Sequence, residues 1–158
     1  KVKAIVEGGK ERYHSVFEGL KQTSDADYVL IHDGARPFVN QDIIRRCMQE
    51  VQKYQACVVG MPVKDTIKIA DEEGYAKQTP DRKNVWMIQT PQTFSYALIY
   101  EAYEEMLKTE DTAITDDAMV LERIKGKKSK LIEGSYRNIK ITTPEDLLIA
   151  NVYLKHPE

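Results

Sequence analysis

Tyr28-Val29-Leu30-Ile31-His32-Asp33-Gly34-Ala35-Arg36-Pro37 is the stretch on which the reading of this chain turns. Its four apolar residues run without a break, as in a strand buried on both faces, and His32-Asp33-Gly34 ends the run. Asn40, just beyond, suits the N-cap of a helix, because its side-chain oxygen can accept from a free backbone N–H of the first turn. Ile43, Ile44, Cys47, Met48 and Val51 then recur at helical spacing. Cys57-Val58-Val59-Gly60-Met61-Pro62-Val63 follows as the next apolar strand. Strand, helix and strand in this rhythm imply a right-handed βαβ crossover. The expected fold class is α/β, with a mainly parallel sheet flanked by helices.

Upstream, Val2 to Val6 reads as a strand, and Gly8-Gly9 turns into a helix carrying Val16, Phe17 and Leu20. Downstream, residues 64–83 break the rhythm. Thr66-Ile67-Lys68-Ile69 alternates, Asp71-Glu72-Glu73-Gly74 turns, and Tyr75 to Thr79 returns, which predicts a β-hairpin arm. Val85-Trp86-Met87-Ile88 is a further strand, followed by a helix burying Leu98, Ile99, Ala102, Tyr103 and Met106. Thr115 is expected to cap a shorter helix ending near Ile124. Lys130-Leu131-Ile132 and Asn138-Ile139-Lys140-Ile141 read as late strands. Thr143-Pro144-Glu145-Asp146 opens the last helix, with Thr as cap and Pro at the first helical position. No repeat or low-complexity linker divides the chain, so a single domain over residues 1–158 is expected.

The bulk composition narrows the function. Of 158 residues, 42% are hydrophobic and 30% charged, which excludes disorder, collagen and coiled coil. A net charge of −2 without clustered Lys and Arg argues against a nucleic-acid surface. No apolar run approaches the roughly 20 residues that cross a bilayer, so no membrane partner is expected. Lys1-Val2-Lys3-Ala4-Ile5-Val6-Glu7 is too short and charged for a signal peptide. Cys47 and Cys57 lack metal-ligand spacing and fit a reducing cytoplasm. The chain opens without Met inside an expected strand, and so reads as a fragment.

In an open sheet of this kind, ligands bind beyond the carboxyl ends of the strands. Asp33 lies at such an end, where a carboxylate can hold a divalent cation bridging nucleotide phosphates, and Arg36 offers a fork for phosphate. Read alone, the hexapeptide fits a plain Asp-Gly turn equally well. Gly8-Gly9 before a helix exposes N–H groups that attract anions, or makes an ordinary tight turn. Lys140 within an alternating strand points away from its apolar neighbours, to solvent or into a cleft. Thr115-Asp116-Asp117 is a helix start favoured by the dipole, and Arg82 an ordinary surface residue. The three histidines, His14, His32 and His156, have no zinc spacing.

Taken together, the segments carry more. Gly8-Gly9 and Glu11-Arg12 with Ser15-Val16, His32-Asp33-Gly34-Ala35-Arg36-Pro37, Pro62-Val63-Lys64-Asp65-Thr66, Thr90-Pro91-Gln92-Thr93-Phe94, Thr115-Asp116-Asp117-Ala118, and Glu133-Gly134-Ser135 with Asn138-Ile139-Lys140 occur in that order. This series closely resembles the 2-C-methyl-D-erythritol 4-phosphate cytidylyltransferase family of the non-mevalonate isoprenoid pathway, from Gly8 to the final helix.

The resemblance implies a Rossmann-like nucleotidyltransferase domain acting as a homodimer through the hairpin arm, with CTP and a sugar-alcohol phosphate as substrates and Mg²⁺ or another divalent cation assisting. By motif, Gly9 and Ser15 would line the cytidine pocket, and Asp33 would lie beside the metal and triphosphate. Arg36, Thr66, Thr90 and Thr115 would contact substrate. Arg82, on an arm that reaches the partner's site, and Lys140 would position the phosphate nucleophile. Lys10 stands where the family usually has Asp or a small polar residue. The family's opening strand and Gly-rich loop, with an Arg and a Lys for the triphosphate, lie outside this sequence. The resemblance therefore implies a chain that alone turns over poorly or not at all.

Two alternatives stand beside this. Ribitol 5-phosphate cytidylyltransferases share Thr90 to Phe94 and the terminal strand pattern, but Gly34-Ala35-Arg36 after Asp33 favours the methylerythritol family. A non-catalytic nucleotide-binding or dimerisation fragment is the reading from another class. No Gly-x-Gly-x-x-Gly opens a helix, which argues against a nicotinamide-dependent oxidoreductase.

Overall fold

The computed structural model describes residues 2–109 and 113–156. Strands β1 (Tyr28–Ile31), β2 (Ala56–Pro62), β5 (Trp86–Ser95) and β6 (Lys130–Glu133) form one sheet in the order β1-β5-β2-β6. β2 and β6 pair in parallel, while β5 runs antiparallel to both β1 and β2. The α/β class holds, but the sheet is more mixed than the βαβ rhythm suggests. β1, β2 and β6 share a direction, and the strand inserted between β1 and β2 opposes them. The reason lies in the connection: β2 reaches β5 through a hairpin rather than a crossover helix, so β5 returns beside β2 antiparallel.

Alternation along β2 divides the core. Ala56 and Val58 face a cluster with Val29, Phe94, Ile99, Tyr103 and Leu121, while Cys57 and Val59 face Ile43, Cys47, Val51 and Ile132. Helices α1 (Arg12–Lys21), α3 (Tyr96–Met106) and α4 (Asp117–Lys125) supply the first face, and α2 (Gln41–Tyr54) the second. Asn40 caps α2 as expected, accepting from Ile43 N at 2.9 Å. Ile44, expected in the core, is exposed because α2 touches the sheet along the stripe of Ile43, Cys47 and Val51. α5 (Pro144–Lys155) starts with Thr143 and Asp146 satisfying each other's backbone N–H groups in a capping box.

Within residues 64–83 the chain forms a β-hairpin. β3 (Ile69–Ala70) and β4 (Ala76–Gln78) make a separate two-stranded sheet. Gly74 turns at φ 88°, and the Asp71 carboxylate accepts from Glu73 N and Tyr75 N.

Three other expectations are corrected. Val2 to Val6 forms no strand and lies open, with Val2 and Ile5 almost fully exposed, because no neighbouring strand among the described residues pairs with it. Asn138 to Ile141 joins no ladder among the described residues; its one backbone–backbone bond toward β1's side runs from Ile141 N to Ala35 O, and the Asn138 side chain ties it to β5. Asp116, not Thr115, caps α4, its side chain accepting from Met119 N at 2.8 Å. The carboxylate outcompetes the hydroxyl because it carries charge into the positive end of the helix.

Phe94 is fully buried and sits opposite both Val29 and Ala56 in the ladders. Replacing it with Ala should cost about 3–5 kcal/mol in urea unfolding. A loss under about 1 kcal/mol would mean that the cluster does not close around β5.

Candidate functional site

The segments that follow β1 and β6 border a cavity of ≈ 260 Å³ beside β5. Five segments contribute to its lining: Arg12 from the first turn of α1, Asp33 and Arg36 after β1, Gln89 and Thr90 from β5, Thr115 and Asp116 before α4, and Lys140 after β6.

Asp33 is the centre of charge. Its carboxylate lies 3.4 Å from Arg12 Nε, 3.5 Å from Arg36 Nε and 3.2 Å from Lys140 Nζ. Burial pushes this carboxyl up, but the hydrogen bond and charge of Lys140, with the charges of Arg12 and Arg36, outweigh it and hold the group below its ordinary value. Arg36 is fixed in turn: Nη1 donates to Asn138 O at 2.8 Å.

Asn138 explains the last motif. It is fully buried, donating to Thr90 O at 2.8 Å and Gln89 Oε1 at 3.3 Å. Gln89 donates to Ser135 O at 2.8 Å. A Cβ on Gly134 would come within 2.4 Å of Gln89 Oε1 and 2.5 Å of Val59 Cγ1, so the chain passes there only as glycine. The loop is thereby sewn to β5, and Lys140 emerges two residues beyond Asn138.

Arg12 was not among the expected site residues. It donates through both terminal nitrogens to Asp117 at 2.8 Å each, and Tyr103 Oη donates to the same carboxylate at 2.6 Å. Asp117 is completely buried. The fork to Asp117 raises the guanidinium's affinity for its proton against the opposing effect of burial, while burial and the neighbouring carboxylate push the Tyr103 phenol up. One sequence signal pointed here: a cation at the first position of a helix opposes the dipole, so Arg12 needs a partner from elsewhere.

The remaining expected residues divide in two. Ser15 lines an adjoining cavity of ≈ 640 Å³, which Arg12 and Asp33 also line, and Gly9 N donates to Ser15 Oγ at 3.1 Å. Thr66 and Arg82 line neither cavity. Arg82 is exposed at the base of the arm and donates to Lys64 O at 2.8 Å. Among the described residues, no group of three or more His, Cys, Asp or Glu side chains could hold a metal ion. Among the described residues, no helix is long and apolar enough to cross a membrane.

Cations gathered on a carboxylate at the rim of an α/β sheet define a protein suited to phosphate-bearing ligands. A sequence model of the 2-C-methyl-D-erythritol 4-phosphate cytidylyltransferase family matches residues 1–156. The curated cytidylyltransferase of that name from Lachnospira eligens is 54% identical over 156 residues, covering 98% of this chain and 69% of the relative. That of Lachnoclostridium phytofermentans is 48% identical, with 98% of this chain and 66% of the relative covered. Among solved structures, the 4-diphosphocytidyl-2C-methyl-D-erythritol synthase of Anaerococcus prevotii superposes with a TM-score of 0.90 at 41% identity, over 96% of this chain and 67% of that one. The Thermus thermophilus cytidylyltransferase gives 0.85 at 35% identity, over 95% and 72%. The chain belongs to the 2-C-methyl-D-erythritol 4-phosphate cytidylyltransferase family, and spans about two thirds of the length of these relatives.

Arg12→Met strands the fully buried Asp117 carboxylate without its cation and should cost about 3–5 kcal/mol in urea unfolding; a cost below about 1 kcal/mol would show the fork to be incidental. The Asp33 pairs give an acid signature. Asp33 titrates below the ordinary 3.8 in the folded state, so its contribution is complete above that value and lost as the pH falls through the folded-state value. Lys140→Met should therefore narrow the stability difference between about pH 7 and about pH 3. An unchanged difference would remove Lys140 from the account.

Proposed function

We propose that this chain forms part of an enzyme that transfers the cytidylyl group of CTP to 2-C-methyl-D-erythritol 4-phosphate, giving 4-diphosphocytidyl-2-C-methyl-D-erythritol and pyrophosphate. The observation that supports this best is the convergence of Arg12, Arg36 and Lys140 on Asp33 at one cavity, in a chain of that family.

The chemistry asks little covalent work of the protein. A phosphate oxygen of the acceptor attacks the α-phosphorus of CTP, the bond to the β-phosphate oxygen breaks, and pyrophosphate leaves. The acceptor phosphate is ionised at neutral pH, so no general base is needed. What limits the step is the approach of two anions, and fixed cations lower that cost. Arg36 and Lys140 position the acceptor phosphate, Thr90 and Thr115 flank it, and Gly9 and Ser15 border the cytidine. Thr66 and Arg82 act from the arm of a partner subunit in a homodimer; the open faces of β3 and β4, with Tyr75 exposed, leave that arm available. Residues 1–158 act as one domain in this reading, and its location is the cytoplasm, which suits the two unpaired thiols.

A divalent cation fits the donor set in one way. Mg²⁺ needs only one or two carboxylates when phosphate oxygens complete its shell, and Asp33 supplies such a carboxylate at the cavity. When bound, the ion would neutralise charge on the triphosphate.

The test belongs on the full-length protein, with CTP and each of two acceptors, methylerythritol phosphate and ribitol 5-phosphate, read by pyrophosphate release. Transfer to methylerythritol phosphate is expected. Transfer only to ribitol phosphate, or to neither, overturns the reading. Arg36→Ala, Lys140→Ala and Arg82→Ala should each lower kcat/KM for the acceptor by about 10² or more. Mixed dimers of Arg82→Ala and Lys140→Ala subunits should regain activity if the arm crosses between subunits.

A further inference from the structure

We propose that His32 and Thr90 are positioning residues of the transfer site, coupled by a closed chain of hydrogen bonds that sets the loop carrying Asp33 and Arg36. This rests on the transfer reading above for its kinetic consequence, and on geometry alone for its structural one.

Thr90 sits on β5 and is 4% exposed. Its hydroxyl accepts from Asp33 N at 3.0 Å and lies 2.9 Å from His32 Nδ1. On the other side of the ring, His32 Nε2 is 3.0 Å from Arg36 O. A carbonyl oxygen only accepts, so Nε2 carries the proton in that contact. In the neutral ring Nδ1 is then bare and accepts the Thr90 hydroxyl proton. The chain closes through the loop itself, where Arg36 N donates to Asp33 O at 3.0 Å.

In the neutral ring every group in the chain thus has one role. The Asp33 amide donates to Thr90, Thr90 donates to His32, His32 donates to the Arg36 carbonyl, and the Arg36 amide donates back to the Asp33 carbonyl. The two side chains that face the cavity, Asp33 and Arg36, hang from backbone tied at both ends of this ring. Gly34 and Ala35 between them offer no side chain able to hold the turn. Thr90 therefore contributes its hydroxyl to the loop rather than chiefly to a ligand, and His32 contributes without lining the smaller cavity beside Asp33.

The alternative is that Thr90 acts by direct contact with substrate and His32 is packing. The two accounts differ in coupling. If one chain links both residues, breaking it at either place forfeits the same interaction, so the effects do not multiply. Independent roles give effects that do.

The experiment uses the full-length protein with Thr90→Val, which keeps shape and removes the hydroxyl, Thr90→Ser, which keeps the hydroxyl, and His32→Phe, which keeps a ring without either nitrogen. Amide hydrogen exchange at Asp33 should accelerate about tenfold or more in Thr90→Val and also in His32→Phe, the expected size for one lost hydrogen bond. Thr90→Ser should keep the protection. With CTP and methylerythritol phosphate, each of Thr90→Val and His32→Phe should lower kcat/KM by about 10- to 100-fold, as misplacement of binding groups does. The double variant should be no worse than the poorer single one.

Unchanged Asp33 exchange in His32→Phe, or losses that multiply in the double variant, overturns the proposal. If His32→Phe fails to fold, His32→Leu makes the same comparison, since it too offers neither a donor nor an acceptor. If the wild-type protein transfers no cytidylyl group, the transfer reading falls. The exchange measurement then still decides whether the ring exists.

Discussion

A carboxylate placed among cations is what the rest of this structure is arranged to allow. Arg12, Arg36 and Lys140 come from the start of α1, the loop after β1 and the loop after β6, and each approaches Asp33. Without a negative charge between them, three such groups would repel one another out of any shared cavity. Asp33 makes the gathering stable in the absence of ligand. The arrangement then extends inward: Arg12 is held by Asp117, which is buried and satisfied by Tyr103 as well. A buried carboxylate without such partners would be strongly unfavourable. The pairing across 105 positions of sequence ties α1, α3 and α4 together at one end, where the first hydrophobic cluster also closes.

β5 gives the site its dimensions. It lies between β1 and β2, and its residues Gln89, Thr90, Gln92 and Thr93 are polar yet buried. A central strand would normally read as apolar there. Three of these side chains have identifiable duties. Gln89 holds the 134–138 loop, Thr90 holds the 32–36 loop, and Gln92 bonds both Asp116 Oδ2 and Ala118 N at the start of α4. One strand therefore sets the mutual position of three segments that line the cavity. Buried amides of this kind stabilise little in net terms but are costly to leave unpaired, so they specify one arrangement over others.

Much of this was legible in the residues. The apolar runs at Tyr28 to Ile31 and Cys57 to Met61, the Asn40 and Thr143 caps, and the hairpin turn at Asp71 to Gly74 all follow from local rules, and all occur. The cavity's members Asp33, Arg36, Thr90, Thr115 and Lys140 were reachable by motif. What local pattern could not convey was pairing. The direction of β5 depends on how the arm returns, not on its own residues. The Val2 to Val6 and Asn138 to Ile141 segments have strand-like composition but join no ladder among the described residues, and a strand is a property of two segments. Arg12 escaped for the same reason: its partner Asp117 lies far along the chain, and Asp117 read as an ordinary helix-start acid.

The magnitudes also separate the three cations by role. The Arg12 fork to Asp117 is buried on the acidic side, and breaking it would strand a charge in the interior at a cost of several kcal/mol. Arg36 spends its terminal nitrogens on backbone carbonyls, chiefly Asn138 O, so its orientation is fixed by the sewn loop. Lys140 is different. Its side chain is 44% exposed, and its pair with Asp33 belongs to the class worth about 0–1 kcal/mol. Lys140 can therefore leave Asp33 at little cost, while Arg12 stays where Asp117 holds it. On this reasoning the site has one mobile cation and two fixed ones.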